Sequence, residues 1–344
     1  MTTNPSAEFL ATLVCPVCRT PLEEVGETLH CGPCRHPFPI VLGIPDLRVH
    51  DDPLIPRADD YRKGERLLAE AEHRSFAELV EFYWTLPTDP PTPPPLARRF
   101  VHHVLTDGER IRAYEHRLGQ GQALLDVGCG AGMLVQAAYR GYATVVGCDV
   151  GFRWLVVARH GLLEAGRPAT LVCACADHLP FAQETFDTVS SVALLEHLPS
   201  PGSALREFRR VLRPGGRVFT WTTNRFSLAP EPHVGLLGVG FLPRSWQPRY
   251  VRWRRNLAYR HTRLLGRGEL SNALRGAGFH RLRYRVPEIT PPDLVHRSGL
   301  ERLAARSARV LSAIPGLSAL LSWLAPALQV VAQASPGRGR DELR

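Results

Sequence analysis

Lysine is nearly absent from this chain of 344 residues: Lys63 stands alone among 42 basic side chains, and arginine supplies the rest. A net charge of +9 would ordinarily invite a polyanionic partner. An arginine-for-lysine skew beside 29 Gly and 30 Pro is what a GC-rich coding sequence yields, so charge weighs less here than in a mixed basic protein. Two further absences narrow the field. The opening MTTNPSAEFLATLVCP has no basic segment followed by an apolar one, which predicts no secretory leader and a cytoplasmic chain. No GxGxxG and no Gly-Lys-Ser loop occur, which removes the usual grips on a pyrophosphate.

What is present starts with ALLDVGCGAG at residues 123–132. An apolar run ending in an acid and a glycine-rich turn predicts a strand that delivers a loop against a ligand. Gly128, Gly130 and Gly132 allow a sharp turn with no Cβ in the way. An apolar helix is expected from Met133 to Tyr139, completing strand, loop and helix. The next strand, TVVGC, stops at Asp149, about 20 residues beyond the loop, where a doubly wound fold places an acid for ribose hydroxyls. A β-rich run at 170–175 leads to ADHLPF, a fourth at 186–192 to LLEHL, and a helix near 202–212 to LRPGG and a strand at 218–222.

These ordered motifs (DVGCGAG, the acid after the second strand, ADHLPF, FDTV, LLEHL, LRPGG) resemble the class I S-adenosylmethionine-dependent methyltransferases over roughly residues 119–279. The resemblance implies an α/β fold: a doubly wound, Rossmann-like sheet of seven strands with the last antiparallel. It implies S-adenosyl-L-methionine as cofactor. Asp126 would serve its ammonium group, Asp149 both ribose hydroxyls and Asp177 the adenine amino group, with Gly128, Cys129, Gly130, Gly132, Val150 and His178 lining the site. On the residues alone, Asp126 also reads as a loop cap and Asp177 as a turn former before Pro180.

Toward the N-terminus, Cys15-Pro16-Val17-Cys18 and Cys31-Gly32-Pro33-Cys34 form two CxxC pairs around a short hairpin-like stretch. Four thiolates so spaced can surround one tetrahedral Zn²⁺, a closed site that is structural rather than catalytic, and a reducing cytosol disfavours disulfides. His36 is a spare donor beside a complete set of four cysteines. The stretch at 36–47 resembles the zinc-ribbon family that includes the activator subunit of certain methyltransferases. The expected organisation is a zinc ribbon at 8–50, a helical cap with a proline-rich spacer at 51–118, and a methyltransferase domain at 119–335. In the second segment one helical pattern runs over 59–86, a TDPPTPPP break follows, and a second runs over 96–118.

An insertion at 224–267 follows the fifth strand, on the side where doubly wound sheets bind ligands, and is expected to shape the acceptor site through Asn224, Arg225, Glu231 and His233. Its latter half mixes Trp246, Tyr250, Trp253 and Tyr259 with Arg249, Arg252, Arg254, Arg255, Arg260 and Arg263. That pattern suits an anionic acceptor or a peripheral membrane contact, and equally an amphipathic helix with its aromatic residues in the core. A sixth strand is expected at 279–286, a helical tail at 300–324 and an antiparallel strand at 328–332. Prolines and glutamines in the uncharged span 310–335 argue against a membrane helix there.

The leading functional expectation is methyl transfer to O or N of a small-molecule, saccharide or lipid-linked acceptor, with His197 and His233 as candidate general bases because a near-neutral pKa suits that task. A second reading is rRNA or tRNA base methylation, since a guanine methyltransferase family also joins a zinc module to this fold. Its zinc ligands end in Cys and His, however, and LLEHL stands where exocyclic-amine enzymes carry Asn-Pro-Pro-Tyr or Asp-Pro-Pro-Tyr. A third reading is a zinc-ribbon partner-binding protein on a non-catalytic scaffold, which would predict a degraded cofactor loop.

Overall fold

The structure, a computed structural model, describes residues 6–87, 92–168, 170–288, 290–295 and 323–335. The chain divides into two units, one running to Val189 with Arg210–Arg213, the other holding the remainder.

The first unit opens with helix α1 (Ala7–Leu10) and a four-stranded antiparallel sheet of β1 (Glu23–Val25), β2 (Thr28–Cys31), β3 (His36–Val41) and β4 (Ile44–Pro45). Leu29, Phe38 and Ile44 are buried beneath it. The helical pattern at 59–86 forms two helices rather than one, α2 (Arg57–Ala71) and α3 (Phe76–Tyr83). The break has a local cause. Ser75 accepts from the amide of Glu78 while the Glu78 carboxylate accepts from the amide of Ser75, a reciprocal cap that restarts the helix. Asp59 and Asp60 lie in the first turn of α2, and Pro56 holds the cap position. After the proline stretch, α4 (Pro94–Tyr114) begins on Pro94, whose missing N–H costs nothing in a first turn.

Strands β5 (Gly121–Val127), β6 (Tyr142–Asp149) and β7 (Leu171–Cys173) are parallel, joined through α5 (Met133–Ala138) and α6 (Phe152–Glu164). Leu124, Leu125, Val145 and Val172 are fully buried, as expected for parallel strands covered on both faces. β8 (Phe186–Val192) runs through the boundary between the units.

The second unit carries α7 (Pro201–Val211), most of β9 (Leu212–Thr223), α8 (Gln247–Arg255), α9 (Arg267–Gly276), β10 (Phe279–Arg285) and β11 (Ala327–Ala334). β11 is antiparallel to both β9 and β10. The seven-stranded sheet has the order β10-β11-β9-β8-β5-β6-β7, so the expected fold class, including the antiparallel last strand, is present. The helix expected at 300–324 falls outside the described residues apart from its end. Among the described residues no helix is long and apolar enough to cross a membrane.

Candidate functional site

The glycine loop leaves β5 at its carboxyl end. Cys148 O accepts from the amides of Gly128 (2.8 Å) and Cys129 (3.1 Å), and Cys129 O accepts from Gly132 (2.8 Å). Gly130 (φ +49°) and Gly132 (φ +78°) both take left-handed backbone, but for different ends. A Cβ on Gly132 would come within 3.0 Å of Ala158 in α6, whereas one on Gly130 would project into open space. Gly130 therefore keeps a cradle clear, and Gly132 lets α5 approach α6.

Three carboxylates gather at the carboxyl ends of the parallel strands, where doubly wound sheets bind ligands. Asp126, in β5, is buried. Asp149 ends β6 and its two oxygens accept from the amides of Gly130 and Gly151, each at 2.8 Å. Burial pushes the Asp149 carboxyl above its ordinary pKa, outweighing those two amide bonds. Asp177 follows β7 and is half-buried; its Oδ1 lies 3.1 Å from His50 Nε2 and 3.2 Å from His178 Nδ1. Burial acts to raise its pKa, but the His178 and His50 bonds outweigh it and hold the carboxyl below its usual value. This set fits the expected cofactor: acceptors for an ammonium, two hydroxyls and an amine, beside a loop kept open by glycine.

In the N-terminal sheet, the Sγ atoms of Cys15, Cys18, Cys31 and Cys34 lie within 4.8 Å of one another, with Cys15 to Cys34 at 3.9 Å and Cys18 to Cys31 at 3.3 Å. Sulfurs on a tetrahedral Zn²⁺ with bonds of about 2.3 Å would be separated by roughly 3.8 Å. Hydrogen bonding from Thr20 pulls the Cys18 thiol down to about 6, while its neighbours Cys18 and Cys31 push Cys34 up to about 12. Four thiolates this close need a cation to ionise together. His36 is exposed and packs edge-on against Phe38.

The second unit brings together the two histidines that the sequence singled out. His197 lies in a short 3₁₀ turn after β8, and its Nε2 is 3.2 Å from Nε2 of His233. His233 Nδ1 bonds the carboxylate of buried Glu231, whose other oxygen accepts from the amide of Val234 at 2.9 Å. His197 Nδ1 faces the carbonyl oxygen of His261 at 3.2 Å, which can only accept, so this nitrogen carries the proton and Nε2 carries the lone pair. His233 satisfies both of its partners by donating from Nδ1 to Glu231 and from Nε2 to His197. Burial lowers the His197 pKa.

Glu196 is buried and accepts from Thr222 Oγ1 (2.7 Å) and from the amide and hydroxyl of Thr223 (3.1 and 2.9 Å). Burial acts to raise its pKa, but the nearby His197 and His233 together with the Thr222 bond keep it low. Asn224 and Arg225, expected among the acceptor residues, are occupied in holding the loop. The Asn224 amide donates to the carbonyls of Trp323 and Ala325, and Arg225 Nε donates to that of Gly240.

A family model for a methyltransferase domain matches residues 125–220, and one for Trm112p-like protein matches residues 6–43. A ubiquinone biosynthesis O-methyltransferase of Paracidovorax citrulli is 36% identical over 181 residues, covering 50% of this chain and 69% of the relative. The chain belongs to the class I S-adenosylmethionine-dependent methyltransferases. A ubiquinone biosynthesis O-methyltransferase of Aliivibrio fischeri is 42% identical over 106 residues, so this methyltransferase spans 30% of its own length and only 45% of that relative. Among solved structures, an S-adenosylmethionine-dependent methyltransferase of Thermotoga maritima shares 17% identity over 69% of this chain and 94% of its own, with a TM-score of 0.46.

One feature of the methyltransferase carried no sequence signal. Arg48 and Arg153 are buried among Asp46, Asp52 and Asp60. Arg48 reaches Asp46 at 2.5 Å, Asp60 at 2.8 Å and the carbonyl of Val150 at 3.0 Å, and Arg153 reaches Asp52 at 2.8 Å and Asp60 at 2.9 Å. Spread over residues 46–153, these partners form no local motif.

Proposed function

We propose that this methyltransferase acts on a hydroxyl oxygen of a small or lipid-linked acceptor, with His197 as general base. The observation that carries the proposal is the chain Glu231–His233–His197: when an acceptor hydroxyl displaces the His233 N–H from His197 Nε2, that lone pair takes the hydroxyl proton, with the Glu231 carboxylate behind His233 holding the charge. The O-methyltransferase names of the curated relatives favour oxygen over nitrogen. Bound S-adenosylmethionine would supply an electrophilic methyl group. Asp126, Asp149 and Asp177 would hold it, with Gly128, Cys129, Gly130, Gly132, Val150 and His178 lining the pocket. What the protein contributes beyond the base is alignment of acceptor and methyl group away from water.

The four-cysteine cluster is proposed to hold one structural Zn²⁺. The chain is read as a ribbon over 8–50, a helical cap over 51–118 and a catalytic domain over 119–335. Support for a lipid-linked acceptor comes from α8: Trp246 just before it and Trp253 within it are 60% and 76% exposed, among Arg249, Arg252, Arg254 and Arg255, with Tyr259 alone of the four aromatic residues buried. Exposed tryptophans among arginines suit the anionic interface of a bilayer.

The test is turnover on a genuine hydroxyl acceptor. His197→Ala should lower kcat by about 10²- to 10⁴-fold with affinity for S-adenosylhomocysteine unchanged, and His233→Ala should follow it. Wild-type turnover in both variants across pH 6 to 9 would overturn general-base catalysis by this pair.

A further inference from the structure

The stretch that leaves the cysteine-bearing sheet, residues 46–50, runs alongside the carboxyl end of β7. Asp46 pairs with Cys173 in parallel, Leu47 N donates to Cys173 O at 2.8 Å, and the Cys175 thiol donates to His50 O at 3.4 Å. Because β7 is the edge strand, this stretch covers an otherwise exposed row of backbone groups. Its side chains reach Asp177 and the backbone just after Asp149. Arg48 holds the carbonyl of Val150, the residue after Asp149, and His50 Nε2 lies on Asp177 Oδ1.

His50 and His178 approach the same oxygen of Asp177. The His50 bond to Oδ1 fixes the rotation of the carboxylate and leaves Oδ2 for a donor from a ligand. Cys175 completes a cluster with His50 and Asp177, and burial pushes its thiol up to about 11.

We propose that His50, contributed by the N-terminal ribbon, is a positioning residue of the adenosine site: it orients Asp177 to accept the exocyclic amine of adenine. The ribbon thereby forms part of the cofactor pocket. This rests on the reading of Asp177 as the adenine-binding acid.

Calorimetry on the full chain tests it, with S-adenosylhomocysteine and its inosine counterpart, in which a carbonyl replaces the amine. His50 is about half exposed, so His50→Ala should weaken S-adenosylhomocysteine binding by about 5- to 10-fold, somewhat below what an unscreened hydrogen bond to a charged group is worth. His50→Gln, which can still donate to Asp177, should stay within about twofold of wild type. In an Asp177→Ala background His50→Ala should cost nothing further, because its only route to the ligand is gone. His50→Ala should also shrink the preference for the adenosine ligand over the inosine one, a readout that a merely structural role would not move. Unchanged binding in His50→Ala, an equal loss in the Asp177→Ala background, or an intact preference would each overturn the proposal. If the wild type binds neither ligand, or Asp149→Ala binds as well as wild type, the cofactor reading itself fails, and this inference with it.

Discussion

Asp60 is the side chain on which the first unit depends most heavily. It is fully buried, and its two oxygens accept from Arg48 Nη1 (2.8 Å), Arg153 Nη1 (2.9 Å) and the amides of Phe152 (2.9 Å) and Arg153 (3.1 Å). Asp60→Asn keeps the shape but removes the charge between two buried guanidiniums and turns one acceptor into a donor that faces other donors. Arg48 keeps Asp46 and Arg153 keeps Asp52, so neither charge is orphaned; the cost is that of weakened charge-assisted bonds and a donor turned against donors, about 1.5–3 kcal/mol. At about 2–4 °C per kcal/mol for a cooperative unit of 150–250 residues, the melting temperature should fall by roughly 3–12 °C. Circular dichroism and calorimetry would follow it, with Asp59→Asn, on the same turn but half-exposed, as the control. A melting temperature within about 2 °C of wild type would refute the assignment of Asp60 as the hub, since its four donors would then have lost nothing with its charge.

Two further outcomes follow from the other clusters. Metal analysis of protein purified without chelator should find close to one zinc per chain, and Cys18→Ser should abolish it and loosen the N-terminal sheet; less than half an equivalent in the wild type would count against the site. Since the folded His197 pKa lies below the ordinary value, turnover should persist as pH falls past about 6.5, with its acid limb lower. The same depression makes the unfolded chain take up this proton first, so the His197 contribution to stability is present above about 6.5 and is lost as pH falls from there toward the folded pKa. An acid limb centred at or above that value on a working acceptor would contradict the burial argument.

The parts that were legible from the sequence are those encoded locally. Gly128, Gly130 and Gly132 after an apolar run can only be a turn that L side chains resist, and the CxxC pairs bring thiols together by their own backbone geometry. The division of the 59–86 pattern was also written locally, as Ser75-Phe76-Ala77-Glu78, but apolar spacing that continues across a cap hides it. By contrast, His50 and Asp177 are separated by 127 positions and Arg48 and Val150 by 102, so only the pairing of the 46–50 stretch with β7 brings them together. Asn224 shows the converse error. A polar residue just past a strand on the ligand side reads as a binding group, yet its amide is consumed by backbone carbonyls about a hundred residues away. Nothing in a polar residue's type says which of these it will do.

The N-terminal module and the parallel sheet are therefore coupled through chemistry rather than proximity. A sheet of four short strands, the longest of them six residues, cannot bury enough apolar surface to hold itself, and segments below about 40 residues usually need a metal or covalent links. The proposed zinc would supply that deficit. Once the small sheet is fixed, its exit strand has a defined direction, and that direction sets Arg48 between Asp46, Asp60 and Val150 and sets His50 against Asp177. Removing the metal should therefore act on Asp149 and Asp177 through the loss of these anchors, although the four-cysteine cluster lies on a different sheet. An appended ribbon joined only by a linker would leave both carboxylates unaffected. In this chain the same stretch that closes the edge of β7 also carries the two side chains that reach the ends of β6 and β7, so the ribbon cannot loosen without releasing them.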